Sequence, residues 1–203
     1  MKIFILTGSI AMGKTTVANF LKKLKINVFC ADETVHLLYK RQHIIDYIKN
    51  IFPEVVINNE VNRNILANYI LKDEENRKKI ENLIYKYLEK EKLNFLEKNN
   101  TLKSELVVLD IPLYFERGAL NYIEKYEINK VIVVYTSKEQ QRFRALQRPN
   151  LLIKNFENIL NLQMPSEEKI KKADYIINNN GTIEQTYNQI INILKNEGIN
   201  VRT

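Results

Sequence analysis

The chain has 203 residues, 45% of them apolar, which allows one globular domain with a normal core and room for an inserted subdomain. Its formal net charge is +7, but Lys and Arg are interleaved with acidic residues and form no dense run, so the excess fits a small polyanion better than nucleic acid or a membrane surface. No apolar run is long enough to cross a bilayer, no basic flank with a cleavage site marks a signal peptide, and Cys30 stands alone, which argues against disulfide or cysteine-metal frameworks and for a reducing cytoplasm.

Residues 2–6 are a short apolar run and read as a buried strand. Directly after them come Gly8, Ser9, Ile10, Ala11, Met12, Gly13, Lys14 and Thr15, which fit the phosphate-loop pattern G-x-x-x-x-G-K-[ST]. From Thr16 onward apolar residues fall at 17, 18, 20, 21 and 24, a helical spacing. Strand, glycine loop and helix are the context the motif needs. Glycines let backbone wrap a polyphosphate, and the unpaired N–H groups at a helix start point at the anion. Lys14 then brings a mobile positive charge to the β- and γ-phosphates, and the Thr15 hydroxyl holds Mg²⁺. The competing reading is a chance match in an ordinary strand-turn-helix, and the flanking strand and helix count against it.

Residues 27–30 read as a second strand, followed by a turn at Ala31 and Asp32. A carboxylate there could take a proton from an attacking hydroxyl, bind Mg²⁺ through water, or simply cap a helix; the residues alone leave these open. His36 lies one helical turn further on and by itself reads as a surface or packed histidine. From about 34 to 103 no clear strand is legible, and residues 73–98 show helical periodicity with mixed charge. Arg63, in this stretch, reads by itself as a solvated surface charge.

A third strand is expected at 105–110, ending in Asp110. An acid at that place can support a Mg²⁺ shell, or can cap the turn before Pro112. Residues 130–135 read as the fourth strand. After it, Arg144 and Arg148 share one helix face. Between 137 and 172 there are eight basic and four acidic residues. That excess favours a mobile lid whose arginines neutralise a transferring phosphoryl group over a merely solvated helix. Residues 174–178 read as the fifth strand, followed by Asn179, Asn180 and Gly181 and a closing helix at 182–195. Alternating strands and helices predict an α/β fold with a parallel sheet covered on both faces, and ligands at the carboxyl ends of its strands.

In order and spacing, these pieces resemble the dephospho-coenzyme A kinases over nearly the whole length. Leu6, Thr7 and Gly8 open the phosphate loop. Ala31, Asp32 and Glu33 come with His36, and Asn62 and Arg63 precede Leu66 and Ala67. Asp110, Ile111, Pro112 and Leu113 come with Phe115 and Glu116. The lid segment from 144 to 148 follows, then Gln163, Met164 and Pro165, with Glu167, Glu168 and Lys169. Last come 173–177 and Asn179 to Gly181. The phosphate loop alone fits many kinases; the Asp-Ile-Pro-Leu and Gln-Met-Pro pieces are far more selective.

The resemblance implies a single P-loop kinase domain over 1–203. It would be a three-layer sandwich on a five-stranded parallel sheet, with an inserted helical substrate subdomain at about 34–103 and a lid at about 137–172. It implies ATP-dependent phosphorylation of the 3′-hydroxyl of dephospho-coenzyme A, with Mg²⁺; taken with the composition and charge above, the expectation is a cytoplasmic monomer that needs neither nucleic acid nor membrane. Asp32 is implied as the base, with Lys14 and Arg144 beside it in catalysis. Gly8 to Thr16, Arg148, Asn179, Asn180 and Gly181 are implied at ATP. Asp32, His36, Arg63, Asp110, Pro112 and Leu113 are implied at the acceptor, and Thr15 and Asp110 at the metal.

The chain departs from the pattern at several positions. Ser9 stands where a glycine is usual, and Ala11 and Met12 where Gly-Ser is usual. Cys30 replaces an Asp, Pro149 follows Arg148 where an Asp is usual, and residues 83–87 lack an expected His-Pro pair. Two rival functions remain at this level. One is another small-molecule P-loop kinase, for a nucleoside, nucleotide or sugar acid. The other is a non-enzymatic nucleotide-binding module, for which no nucleic-acid motif is present.

Overall fold

Five apolar runs become the strands of one parallel sheet. The computed structural model describes residues 1–70, 73–117, 126–147 and 153–200. In chain order the elements are β1 (Lys2–Thr7), α1 (Lys14–Lys23), β2 (Asn27–Cys30), α2 (Ala31–Leu38), α3 (Gln42–Ile51) and a 3-10 turn (Pro53–Val55). Next are β3 (Val56–Ile57), β4 (Glu60–Val61), α4 (Arg63–Ile70), α5 (Glu74–Thr101), β5 (Leu106–Asp110), α6 (Tyr114–Arg117) and β6 (Lys130–Tyr135). Last are α7 (Lys138–Leu146), α8 (Ile153–Asn161), α9 (Ser166–Lys171), β7 (Tyr175–Asn178) and α10 (Ile183–Asn196). The chain divides into two compact units, Met1–Cys30 with Lys98–Thr203, and Ala31–Glu97.

In the first unit the strand order is β2-β5-β1-β6-β7, all parallel. β1 is central and buried on both faces, which is why its sequence is a continuous apolar run rather than an alternating one. Phe4, Leu6, Val108, Ile132 and Val134 pack with Val17, Leu21, Ile190 and Leu194 of α1 and α10. Ile3, Ile5, Val107 and Leu109 alternate with the first set and are equally buried. Register sets Cys30 beside Asp110, Asp110 beside Leu6, and Tyr135 beside Asn178. The polar ends of four strands therefore line one edge of the sheet. α10 starts with a capping box, Thr182 and Gln185 bonding reciprocally, as a Thr-x-x-Gln start favours.

At the opposite edge of the sheet Glu197 gathers three donors. Tyr175 Oη donates to it at 2.8 Å, Lys2 Nζ lies at 3.1 Å and Lys130 Nζ at 3.9 Å. The Tyr175 hydrogen bond, then the lysines, hold its carboxyl below the usual glutamate value. A depressed native pKa means stability that is present above the unfolded value of about 4.3 and is lost as pH falls through the native one. Glu197→Gln should therefore flatten the acid side of the stability curve and cost about 1–2 kcal/mol at pH 7. Urea unfolding of both proteins at pH 7 and at about pH 4 checks this; parallel pH dependence in the two would sink it.

The second unit packs Leu38, Ile44, Ile48, Phe52, Val55, Leu66, Ile80 and Ile84 into a core of its own. Asn62 Oδ1 accepts from Ile65 N at 3.1 Å and Asp73 Oδ1 from Asn76 N at 2.9 Å, capping α4 and α5. The sequence reading placed no strand between 34 and 103, and here the structure corrects it. β3 and β4 form a two-residue antiparallel hairpin. Its turn, Asn58-Asn59, has φ of 51° and 59°, the left-handed pair that a tight hairpin turn needs and that asparagine tolerates.

Candidate active site

The loop after β1 leaves the sheet with φ of 154° at Gly8 and 93° at Gly13. A Cβ at Gly8 would come within 2.7 Å of Val134 O, and one at Gly13 would collide with the Asn179 amide. Both glycines are therefore demanded by close approach as well as by φ. Ala11 holds a left-handed φ of 60° in the same loop, a conformation that costs a non-glycine residue roughly 1–2 kcal/mol. Gly13 is the N-cap of α1 and no side chain caps that end, so the first N–H groups of the helix remain available to an anion.

Side chains from distant segments hold the loop in place. Gln141 Nε2 donates to Ile10 O at 2.7 Å, and Ile10 N donates to Gln163 Oε1 at 3.0 Å. Asn179 Nδ2 donates to Met12 O at 2.9 Å, and Thr136 N approaches Met12 Sδ at 3.2 Å. Met12 and Ser9 are buried; Ile10 is half-buried. The departures at Ser9 and Met12 are thus absorbed by packing under the strand ends.

Lys14 Nζ pairs with Asp110 Oδ1 at 3.0 Å, so the structure brings these two predicted residues together. Cys30 Sγ lies 3.7 Å from Asp110 Oδ2, a contact that register alone dictates. Thr15 is exposed on the first turn of α1 and Thr16 half-buried, its N–H bonded to Gly13 O. Pro112 and Leu113 are half-buried, and Thr7 Oγ1 donates to Pro112 O at 3.2 Å. Among the described residues no group of three His, Cys, Asp or Glu could hold a metal alone. One hydroxyl and one carboxylate suit Mg²⁺, a hard ion that takes few protein oxygens and completes its shell with phosphates and water.

Arg144 reaches the same place from α7. Its Nη2 donates to Asn179 O at 2.8 Å. Its Nη1 is buried, lies 3.3 Å from where a Gly13 Cβ would be, and has no hydrogen-bond partner among the described residues. A buried orphan guanidinium donor over a phosphate loop is a place for an anion. Arg148 lies outside the described residues. The Asn179 amide is bonded at both ends, to Met12 O and from Thr186 Oγ1, and Asn180 Oδ1 accepts from Thr136 Oγ1 and Ser137 N. Both residues shape the site through these bonds. At Gly181 a Cβ would meet the Gln185 side chain, so a larger residue there would have to shift that side chain out of the α10 capping box.

In the second unit Asp32 and His36 lie one turn apart on α2, both exposed. The helix begins at Ala31, so Asp32 sits inside its first turn and is not the residue before it; the capping alternative falls away. Among the described residues its carboxylate makes no hydrogen bond or ion pair. Arg63 Nη1 donates to His36 Nδ1 at 2.8 Å and its guanidinium lies 6.0 Å from the Tyr39 ring centre. Since a guanidinium only donates, this Nδ1 carries no proton. Burial raises the Tyr39 pKa, with Arg63 opposing.

The structure adds residues to which sequence reasoning gave no role. Fully buried Lys169 pairs with Glu116 Oε1 at 2.7 Å, and the same oxygen accepts from Met164 N at 3.0 Å. This knot ties the segment after β5 to the turn that carries Gln163. Its residues were visible as motif pieces, but which partner each one meets depends on contacts 48 or more residues apart.

This sheet order, with a glycine loop running from the central strand into an uncapped helix, defines a P-loop phosphotransferase fold. The family model for dephospho-CoA kinase matches residues 2–185, and the chain belongs to that family. It is 41% identical over 196 residues to the dephospho-CoA kinase of Bartonella quintana, covering 97% of this chain and 98% of that one. To the protein of the same name from Agrobacterium fabrum it is 35% identical, covering 98% and 99%. Among solved structures it resembles TT1252 from Thermus thermophilus, with a TM-score of 0.79, 26% identity and 97% of each chain covered. The dephospho-CoA kinase from Campylobacter jejuni gives 0.70 and 27%, covering 97% and 98%. Shikimate kinase from Aquifex aeolicus, at 0.52 and 20% over 97% and 98%, shares the fold alone.

Proposed function

We propose that this protein transfers the γ-phosphoryl group of ATP, with Mg²⁺, to the 3′-hydroxyl of dephospho-coenzyme A, giving coenzyme A and ADP, as a monomer in the cytoplasm. The observation that carries the reading is the convergence of Lys14 and the orphan Arg144 Nη1 on the Gly8 to Thr15 loop, in a chain of this family. Among the described residues no helix is long and apolar enough to cross a membrane.

Phosphoryl transfer needs little covalent help from the protein; it needs alignment and charge neutralisation. The loop N–H groups and the α1 N-terminus cradle the phosphates. Lys14 leaves Asp110 for the β- and γ-oxygens. Arg144 turns its free nitrogen to the transferring group, where charge spreads in the transition state. Thr15 and Asp110 are the residues that would hold Mg²⁺, which when bound supplies positive charge at the phosphates. Asp32, exposed and without a partner among the described residues, takes the proton of the attacking hydroxyl. Residues 34–103 act as the acceptor-binding insert and 137–172 as the lid.

Arg63 and His36 serve the acceptor in this scheme. A charge-assisted contact to a phosphate is worth roughly 1.5–3 kcal/mol, so Arg63→Ala should raise the acceptor KM about 10- to 100-fold and leave the ATP KM nearly unchanged. Arg144→Ala should lower kcat instead, because its charge is wanted at the transition state. Equal losses toward both substrates in Arg63→Ala would remove the acceptor role of the insert. The function itself is tested by ADP release with dephospho-coenzyme A against adenosine, AMP, CMP and gluconate. Turnover with a different acceptor of that panel and none with dephospho-coenzyme A would overturn it.

A further inference from the structure

Thr186 is fully buried in the first turns of α10, beyond the residues that the family model matches. Its hydroxyl has two acceptors in reach, Asn179 Oδ1 at 3.0 Å and Thr182 O at 3.2 Å, and one proton to give. Thr182 O already accepts the Thr186 backbone N–H at 3.1 Å, as a helix carbonyl does. Asn179 Oδ1 has no other donor among the described residues, so the hydroxyl proton belongs there. The Met12 carbonyl, which can only accept, sets the polarity of the Asn179 amide, and the Thr186 hydroxyl proton satisfies and holds the oxygen that this polarity turns toward α10. The amide Nδ2 then faces Met12 O, where it donates at 2.9 Å across 167 residues of sequence. With the amide turned over, Oδ1 would face the Met12 carbonyl, acceptor against acceptor, in a site where Asn179 is only 6% exposed.

The Asn179 backbone completes a junction. Its N–H donates to Tyr135 O at 2.7 Å, and its carbonyl accepts Arg144 Nη2 at 2.8 Å. The second nitrogen of that guanidinium is the orphan over Gly13. One residue thus fixes both the phosphate loop, at Met12, and the arginine that reaches it from the lid. We propose that Thr186 is a positioning residue for phosphoryl transfer, holding the Asn179 amide in the one orientation that aligns the phosphate loop with Arg144. The proposal rests on the reading that Arg144 serves the transferring phosphoryl group.

The test pairs Thr186→Val, which keeps the shape and removes the donor, with Thr186→Ser, which keeps the donor. Each is made in the wild-type and in the Arg144→Ala background, and kcat, both KM values and equilibrium ADP affinity without acceptor are measured. Thr186→Val should lower kcat about 10-fold and weaken ADP severalfold, by the cost of an unsatisfied buried amide, with the acceptor KM held within about twofold. Thr186→Ser should restore kcat. In Arg144→Ala the same Val substitution should cost less than about threefold in kcat, because residues acting through one group are not additive. Equal kcat losses in the two backgrounds, or no rescue by serine, would overturn the proposal. Normal kcat in Arg144→Ala alone would instead overturn the Arg144 reading beneath it. Should the valine protein not fold, Thr186→Cys, whose thiol is a weak donor, carries the same cycle.

Discussion

Replacing Lys14 by alanine is expected to reduce turnover by roughly 10²- to 10³-fold or more, the scale found when one preorganised charge or donor is removed from a transition state. ATP and acceptor binding should suffer less than kcat. The structure adds a second consequence. Lys14 and Asp110 are only 12% and 5% exposed along their side chains, and they neutralise each other at 3.0 Å. Removing the lysine leaves a carboxylate buried without its cation, which is destabilising even where the intact pair contributes little. Lys14→Ala should therefore fold with a lowered Tm. Adding Asp110→Asn should recover part of that Tm, because a buried charge that has lost its lysine is gone, and should recover none of the turnover. Thermal melts and steady-state rates on the three proteins separate the two effects. Near-normal turnover in Lys14→Ala, with the fold intact, would show that the lysine merely balances Asp110.

The parts of the molecule that were legible in the sequence are those written in local pattern. β1 reads as a strand because Ile3 to Leu6 form an unbroken apolar run, and the run is unbroken because both faces are buried. The loop after it reads as a phosphate site because Gly8 and Gly13 answer steric demands of the turn, and Lys14 and Thr15 follow at the spacing that phosphate and metal binding need. Asp110 was legible as a strand-end acid; that it meets Lys14 was not, because that contact depends on β5 lying beside β1. The hairpin at 56–61 was missed because two-residue strands carry no period, although Asn58-Asn59 is a turn signal in plain view. The clamps on the loop were illegible for a different reason. Gln141, Gln163 and Asn179 reach Ile10 and Met12 across 131, 153 and 167 residues. Nothing in the local pattern of a glutamine says which backbone carbonyl it will meet.

Asp32→Asn is expected to lower kcat by roughly 10²-fold or more while leaving stability nearly intact. The substitution keeps size and polarity but cannot accept a proton. The structure makes the result unusually clean to interpret. Asp32 is exposed, lies within the first turn of α2, and makes no hydrogen bond or ion pair among the described residues. Its only visible structural service is a negative charge near a helix N-terminus, worth about 0.3–1 kcal/mol. A loss of that size shifts a melting curve by a few degrees and cannot account for a hundredfold fall in rate of a protein that stays folded at the assay temperature. Its neighbour Glu33 supplies a control, since it shares the first turn and the same helix-end charge. Glu33→Gln removes the same helix-end charge and should leave kcat within about twofold, because Asp32 keeps its carboxylate. A large rate effect confined to Asp32→Asn, with ATP KM unchanged, would mark Asp32 as the group that receives the proton of the acceptor hydroxyl. Equal, small effects from both substitutions would reduce Asp32 to a helix-end charge and leave the attacking hydroxyl to lose its proton to solvent or to phosphate.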